Sequence, residues 1–249
     1  MVPYLPAKVR AKLESIASRL RDSFGIPKRK SKLPDPIDLL IATILSQNTN
    51  DINSHKAFTN LKSAFPELRS LGKVSPKKIE SLIKVGGIAK KKSRTIVQVV
   101  KDVEKMFDKF DRRQLKRIKG AALIEELRKL KGVGYKTASC VLLFSLGDDN
   151  AFPVDTHVHR ILNRIGVVKE KTPDKTYLAV RDLVPHGRGY ELHLNLIKFG
   201  RKTCMAQRPR CLECGLYDLC GWKDKGIQYD KIMKQGRERD VEFMLLEKV

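Results

Sequence analysis

The sequence predicts an all-α protein, and three observations support this fold class. Apolar residues recur at spacings of three and four, which is typical of amphipathic helices. Several of these stretches follow a capping side chain and a proline, a frequent helix start. No segment shows a convincing period-two alternation of apolar and polar residues, so we expect no β-sheet.

The predicted helices begin near the N-terminus. The first presents an apolar face made of Val9, Leu13, Ile16, Leu20 and Phe24. Three later starts combine a cap with a proline: Asp35-Pro36, Ser75-Pro76 and Thr172-Pro173. Gly86-Gly87 ends the second of these helices, and the third is expected to run through Val184. Further helical stretches flank the glycines at 132 and 134.

The net charge favours a nucleic-acid partner. The chain has 51 Lys and Arg against 28 Asp and Glu, a net charge of +23, and a pI near 9.9. This excess is one-sided, whereas the lysine-rich surfaces of thermophilic proteins usually gain Glu as well. No stretch approaches the roughly 20 apolar residues of a membrane span, and residues 1–20 lack the pattern of a secretory signal. We therefore expect an intracellular protein that does not bind membranes.

A glycine-containing turn with a lysine lies between two predicted helices. Gly132, Val133 and Gly134 permit a tight turn that exposes backbone N–H groups at the start of the second helix. Together with the helix dipole, these groups form an anion site suited to a DNA phosphate. Taken alone, the turn is equally compatible with a plain helix–turn–helix corner. Lys136 follows two residues after the second glycine.

A carboxylate follows nineteen residues after Lys136. Asp155 stands in the segment Val154-Asp155-Thr156-His157, at the start of another predicted helix. By itself this aspartate is most simply an N-cap. Paired with the turn and its lysine, it gains a catalytic interpretation.

Four of the five cysteines are clustered near the C-terminus. Cys204, Cys211, Cys214 and Cys220 have the spacing C-x6-C-x2-C-x5-C, which favours metal ligation over disulfides in an intracellular chain. Four thiolates can hold a [4Fe–4S] cluster, whereas zinc sites more often pair two C-x2-C units. Cys140 stands apart in an apolar stretch and is expected to be a buried core residue.

The glycine turn with its lysine, the aspartate segment and the cysteine cluster together resemble the endonuclease III family of helix-hairpin-helix glycosylases. The resemblance covers about residues 30–222, with the three motifs in the family's order. It implies a two-lobed fold: a central helical bundle over 28–148, and a lobe formed by 1–27 and 149–222. The second lobe carries a [4Fe–4S] cluster on the four cysteines, and 223–249 is an extension of unknown role.

The same resemblance assigns roles to individual residues. It implies that Lys136 is the nucleophile, that Asp155 assists it, and that Gln47 fills the position vacated by a flipped base. It implies that Ile88 wedges between base steps. Without the family, Gln47 would be a polar residue at a helix end and Ile88 a core residue. Lys131 departs from the family, which usually has proline there.

Several cations are further candidates for phosphate contacts, although charge runs are usually solvated surfaces. They are Lys90, Lys91, Lys92, Arg94, Arg208 and Arg210.

The expected activity is that of a bifunctional DNA glycosylase and AP lyase in base excision repair. Its substrate would be double-stranded DNA with a damaged base or an abasic site. The damaged base favoured by this interpretation is an oxidised pyrimidine. The base is flipped out, a Lys136 Schiff base forms, and β-elimination cuts the strand. The alternatives are a glycosylase for mismatched uracil or thymine or for an oxidised purine, a non-catalytic DNA-binding module, and an iron–sulfur electron carrier. A monomer is the simplest expectation.

Overall fold

The computed structural model describes residues 6–226, and within that range the chain is helical and contains no β-strand, which confirms the predicted all-α class. None of the described helices is both long enough and apolar enough to cross a membrane. The α-helices are α1 (Pro6–Phe24), α2 (Pro36–Ser46), α3 (Asp51–Ala64), α4 (Pro76–Ile83), α5 (Ala89–Met106), α6 (Arg112–Leu115), α7 (Gly120–Arg128), α8 (Tyr135–Cys140), α9 (Thr156–Ile165), α10 (Pro173–Val180) and α11 (Gly189–Lys202).

Shorter helical segments connect or extend these helices. Helix α8 continues as a π-helical turn over Val141–Leu146. The 3₁₀ segments are Leu68–Lys73, Lys84–Gly86, Cys211–Glu213 and Lys223–Gly226.

The described chain divides into two compact units. One contains residues 30–148 and the other contains 6–29 with 149–226. The C-terminal extension expected from 223 onward lies outside the described residues after 226.

Helix α2 is the core of the unit 30–148. The Asp35 side chain caps it by accepting a hydrogen bond of 2.8 Å from the Ile37 backbone N–H, and Pro36 occupies the first turn as predicted. Every residue from Pro36 to Leu45 except Asp38 is buried, because α3, α5 and α8 all pack against this helix. Each buried Leu or Ile contributes about 1.5–3 kcal/mol. The segment that follows α2, which begins at Gln47, is therefore attached to a rigid helix.

The unit of residues 6–29 and 149–226 is organised around α11, against which α1 and α9 pack. Helix α10 ends at Val180, earlier than predicted. Leu183 and Val184 instead close a turn through backbone hydrogen bonds to the Val180 carbonyl. Pro185 disfavours helical backbone at Val184, so the helix could not have continued through that residue.

A partly buried ion-pair network joins α1 to α11. Both carboxylate oxygens of Glu191 accept hydrogen bonds from Arg21, at 2.9 and 2.6 Å, and one accepts a further bond of 2.8 Å from Arg188. Burial alone would raise the pKa of Glu191, but the bonds from Arg21 and Arg188 outweigh it and lower the pKa below its ordinary value. The ionised carboxylate is therefore stabilised in the folded state.

Replacing Glu191 with glutamine is expected to lower the free energy of unfolding by about 2 kcal/mol at neutral pH, because charged hydrogen bonds are lost. Since the folded-state pKa lies below the unfolded value of about 4.3, the carboxylate's contribution is complete above that pH and is lost as the pH falls through the folded-state pKa. The difference between wild type and variant, measured by denaturant unfolding from pH 7 to pH 3, should shrink towards low pH.

Asp182→Asn provides the control for this experiment. Asp182 pairs with Arg181 at 3.4 Å, but its side chain is 84% exposed. Its loss should change the free energy of unfolding by less than about 1 kcal/mol. A Glu191→Gln effect no larger than that of the control would contradict the assignment.

Candidate nucleic-acid interface and catalytic residues

The turn at residues 132–134 depends on one glycine rather than two. Gly132 has φ +86°, and a Cβ at this position would lie 3.0 Å from Cγ2 of Thr95, so both conformation and space require glycine. Gly134 has an ordinary φ of −97° with open space around it, so only Gly132 needs glycine for its own conformation. Val133 is buried between them and anchors the turn.

Lys136 lies in the first turn of α8, immediately after this glycine turn. Gly134 is the N-cap and makes no side-chain capping hydrogen bond to the backbone N–H groups of that turn. Tyr135 is buried, with the Arg128 guanidinium 3.6 Å from its ring centroid. Lys136 itself is half-buried. A fixed backbone thus presents an amine beside a group of N–H donors.

Gln47 lies close to the same turn. It is the exposed C-cap residue of α2, and its side-chain Nε2 donates a hydrogen bond of 3.3 Å to the Gly132 carbonyl. The structure therefore brings Gln47 and the glycine turn together within one unit. Asn48 follows with φ 53°, in the turn between α2 and α3.

Ile88 is exposed and has a strained backbone. The residue is 52% accessible, which rules out the core alternative. Its φ of 49° lies in the left-handed region, which is unfavourable for a β-branched residue. Such strain costs about 1–3 kcal/mol and is concentrated at functional sites. The combination supports the wedge role that the sequence resemblance implies.

Replacing Ile88 with glycine is expected to separate stability from activity. Glycine adopts positive φ without strain, and little apolar burial is lost, so the free energy of unfolding should rise by up to about 1 kcal/mol. Turnover of a lesion in duplex DNA should fall, because no side chain remains to enter the base stack. Denaturant unfolding and duplex kinetics test the two halves. Lower stability would argue against strain at Ile88, and unchanged duplex turnover would argue against the wedge.

A basic groove adjoins Ile88 within the same unit. Its space, counted with its opening to solvent, is about 1270 Å³, and its lining includes Lys90, Lys91, Arg94 and Lys131. Lys131, which stands where the resembling family has proline, thus adds a cation to the groove. Lys92 was expected to share this surface with its neighbours but is only 4% exposed. Its position on the apolar face of α5 explains the difference.

Asp155 caps helix α9 in the other unit. Its side chain accepts a hydrogen bond of 2.8 Å from the Val158 backbone N–H, which confirms the predicted cap. The segment before it is rigid, because Pro153 and Val154 are buried. The carboxylate itself is half-buried. One carboxylate oxygen therefore accepts the capping hydrogen bond, and this bond fixes the orientation of the side chain.

The four clustered cysteines surround a common cavity. Their side chains line a space of about 360 Å³, counted with its opening to solvent. Burial raises the pKa of the Cys214 thiol to about 11, and the other three thiols add to the rise. Burial and the Cys204 and Cys220 thiols likewise raise the pKa of Cys211. Thiols that disfavour one another's ionisation in this way are suited to a positively charged metal group.

The four thiols provide the kind of donor set that can hold a metal cluster. Within residues 6–226, no group of three or more His, Cys, Asp or Glu side chains could hold one metal ion. The four thiols surround a cavity instead of meeting at one point. Four thiolates are also the usual ligands of a [4Fe–4S] cluster.

Two arginines of α9 hold the cysteine loop. Arg160 donates hydrogen bonds of 3.2 and 2.9 Å to the Cys204 carbonyl, and Arg164 donates to the carbonyls of Met205 and Ala206 at 2.6 and 2.9 Å. The Arg164 guanidinium also lies 4.4 Å from the Trp222 ring centroid. The helix that begins at Asp155 thus supports the cysteine loop directly.

The two arginines proposed for DNA contact lie on this loop. Arg208 and Arg210 are both exposed, and Arg208 has φ 48°. The Arg210 backbone N–H donates to the Thr203 carbonyl at 2.9 Å, which fixes the base of the loop. Both side chains remain predictions as DNA contacts.

Sequence reasoning missed the structural roles of Arg160, Arg164 and Lys92. The two arginines are spaced four residues apart, as expected for one helix face, and that spacing was a usable signal. Lys92 was recoverable too, because it precedes Ile96, Val100 and Val103 at spacings of four, four and three. Its place within a run of basic residues concealed that pattern.

Comparison with known proteins shows relatives across most of the chain. The family model of the HhH-GPD superfamily of base excision DNA repair proteins matches residues 41–186. Endonuclease III of Thermotoga maritima is 38% identical over 192 residues, covering 77% of this chain and 85% of that protein. Endonuclease III of Escherichia coli is 29% identical over 218 residues, covering 87% and 98%.

Solved structures show the same similarity. A trapped endonuclease III–DNA covalent intermediate is 26% identical, with a TM-score of 0.70 over 87% of this chain and 96% of that one. A thermostable thymine-DNA glycosylase shares the fold at 22% identity, with a TM-score of 0.66 over 88% and 98%.

Proposed function

We propose, from the premise that the chain belongs to the endonuclease III family of the HhH-GPD superfamily, that it is a bifunctional DNA glycosylase and AP lyase of base excision repair. It binds double-stranded DNA that contains a damaged base or an abasic site. The preferred lesion is an oxidised pyrimidine. One observation carries the proposal: an amine, that of Lys136, stands in the first turn of α8 directly after a glycine turn whose conformation is fixed.

Lys136 is the nucleophile in this mechanism. The backbone N–H groups at the start of α8 bind a phosphate and hold the strand in place. The amine attacks C1′ of the flipped nucleotide, and the bond from C1′ to the base breaks. The base takes the electron pair and a proton. The opened sugar forms a Schiff base with Lys136, from which β-elimination of the 3′ phosphate cuts the strand.

Asp155 assists this attack from the start of α9. A carboxylate can accept the proton that Lys136 must lose, or it can stabilise the positive charge that develops on the sugar. Its hydrogen bond with the Val158 N–H fixes the orientation of the carboxylate. A fixed carboxylate needs little reorganisation when charge develops beside it.

Gln47 and Ile88 maintain the distorted duplex. A primary amide can donate and accept hydrogen bonds, so Gln47 can pair with the base left without its partner. Ile88 enters the base stack as an apolar wedge and bends the duplex. The Gln47–Gly132 hydrogen bond connects this function to the phosphate-binding turn.

The cysteine loop holds a [4Fe–4S] cluster on Cys204, Cys211, Cys214 and Cys220. If bound there, the cluster would be held by these four cysteines and would stabilise the loop. Arg208 and Arg210 on that loop then meet the DNA backbone. Arg160 and Arg164 connect the same loop to α9, which begins at Asp155.

Duplexes that each carry one defined lesion provide the test. The protein should release an oxidised pyrimidine, cut the strand by β-elimination, and become covalently attached to the DNA when borohydride is present. Faster release of mismatched uracil or thymine, or of an oxidised purine, would change the lesion but keep the mechanism. Binding to every duplex without base release would favour a non-catalytic DNA-binding module.

A further inference from the structure

A lysine amine is buried between the two segments proposed to enter the duplex. Lys92 is 4% exposed and lies on the apolar face of α5. Its Nζ donates hydrogen bonds to the backbone carbonyls of Leu45, at 2.7 Å, and Gly86, at 2.8 Å. Neither acceptor is a carboxylate, so the bonds join two pieces of backbone and not an ion pair.

The two acceptors are carbonyls at the ends of helical segments. Leu45 belongs to the last turn of α2, where carbonyls lack partners inside the helix and carry the negative end of its dipole. Gly86 ends the 3₁₀ segment Lys84–Gly86. Leu45 lies two residues before Gln47, and Gly86 lies two residues before Ile88. A single nitrogen atom therefore connects the bases of both segments.

Lys92 also holds Ile88 from its other side. The Lys92 backbone N–H donates a hydrogen bond of 3.0 Å to the Ile88 carbonyl, while its side chain binds Gly86. A β-branched residue keeps a left-handed backbone only when its surroundings enforce that conformation. The backbone bond is an ordinary helix bond that does not depend on the side chain, whereas the side-chain bond to Gly86 requires the lysine and holds the backbone just before Ile88.

We propose that Lys92 is a positioning residue that holds Gln47 and Ile88 at a fixed separation, so that both enter the duplex in the same base-flipping step. Lys92 itself contacts neither DNA nor the reacting atoms. The inference rests on the proposed function, because it assigns Lys92 a part in that reaction.

The burial of a charged amine at this position carries a desolvation cost. Burial lowers the pKa of Lys92, which reflects the unfavourable removal of its charge from water. A buried charge is weak evidence for stabilisation, because an apolar side chain of similar volume avoids the desolvation cost. An apolar side chain, however, could not donate hydrogen bonds to the Leu45 and Gly86 carbonyls.

Lys92→Met tests this inference, since methionine fills similar space without a donor. Its turnover of an oxidised pyrimidine in duplex DNA should fall by about tenfold or more. Borohydride trapping on a single-stranded abasic substrate should stay within about twofold of wild type, because no base has to be flipped or replaced there. Fluorescence of 2-aminopurine beside the lesion should show slower flipping. Lys105→Met, an exposed lysine of the same helix, is the matched control and should leave all three readouts unchanged.

A second comparison separates positioning from general destabilisation. If Lys92 acts through Gln47 and Ile88, then adding Lys92→Met to the Gln47→Ala/Ile88→Ala variant should cause no further loss on duplex DNA. A structural role would reduce activity in both backgrounds. If Lys92→Met is not recovered folded, Lys92→Gln keeps one donor and allows the same comparison.

Two results would overturn the inference: equal losses on duplex and single-stranded substrates, or an undiminished further loss in the Gln47→Ala/Ile88→Ala background. Failure of the proposed function has a different signature. In that case the wild-type protein itself would not be trapped on the single strand.

Discussion

Lys136→Gln is expected to reduce strand cleavage at an oxidised pyrimidine by about 10⁴-fold or more, the scale of losing a covalent nucleophile. Glutamine keeps a polar side chain of similar reach, but it has no amine that can attack C1′ or form a Schiff base. Affinity for duplex DNA should survive, because the glycine turn and the N–H groups of α8 do not depend on this side chain. Single-turnover kinetics and a binding titration measure the two quantities separately.

Lys129→Gln is a suitable control for that variant. Lys129 is an exposed neighbour at the end of α7 whose ammonium pairs with Glu126 at 2.7 Å. Its loss removes one positive charge, as Lys136→Gln does, and should leave cleavage within about twofold, because surface pairs contribute little. Similar losses in both variants would show that charge, and not nucleophilicity, explains the effect.

Cys211→Ser is expected to abolish stable binding of the iron–sulfur cluster. Wild-type protein purified without oxygen should be brown with about four irons per chain, whereas the variant should lose most of its iron. Cys140→Ser should keep its iron, since Cys140 is fully buried in the other unit and takes no part in the cluster. Colourless, folded wild-type protein with stoichiometric zinc would contradict the cluster assignment.

Loss of the cluster should also impair catalysis. Arg160 and Arg164 join the cysteine loop to α9, and α9 begins at Asp155. Without the cluster the cysteine loop should become more mobile, and its hydrogen bonds with Arg160 and Arg164 should weaken. The Asp155 carboxylate should then be held less firmly in its orientation. Base release by Cys211→Ser should therefore slow by about tenfold or more, as when a supporting residue behind metal ligands is lost. Normal base release in iron-free protein would disprove this connection.

The sequence predicts most of the fold because local signals determine the helices. Pro36, Pro76 and Pro173 each begin a helix as expected. The side chains of Asp35, Asp155 and Thr172 each accept a capping hydrogen bond from a backbone N–H. Ser75 precedes its helix but makes no capping hydrogen bond. The helix that opens at Thr172 ends at Val180, and Pro185 disfavours helical backbone at Val184, where the predicted helix would have ended.

Tertiary features of the site could not be predicted in the same way. The turn at 132–134 was assigned to two glycines, but only Gly132 has a positive φ, and a Cβ there would lie 3.0 Å from Thr95. The Gln47–Gly132 hydrogen bond joins residues 85 positions apart, so no local pattern reveals it. Lys92 could have been predicted from a local pattern. The run of basic residues around it suggested a surface position, but its helical spacing placed it on the buried face, where the structure has it.

Mapping the borohydride-trapped adduct by mass spectrometry tests the central claim most directly. Wild-type protein is trapped on a duplex with one oxidised pyrimidine, digested, and analysed for the lysine that carries the reduced sugar. The expected result is a single modified site at Lys136. A modification at another amine, such as Lys131, with none at Lys136 would contradict the mechanism even if the protein cleaves the substrate.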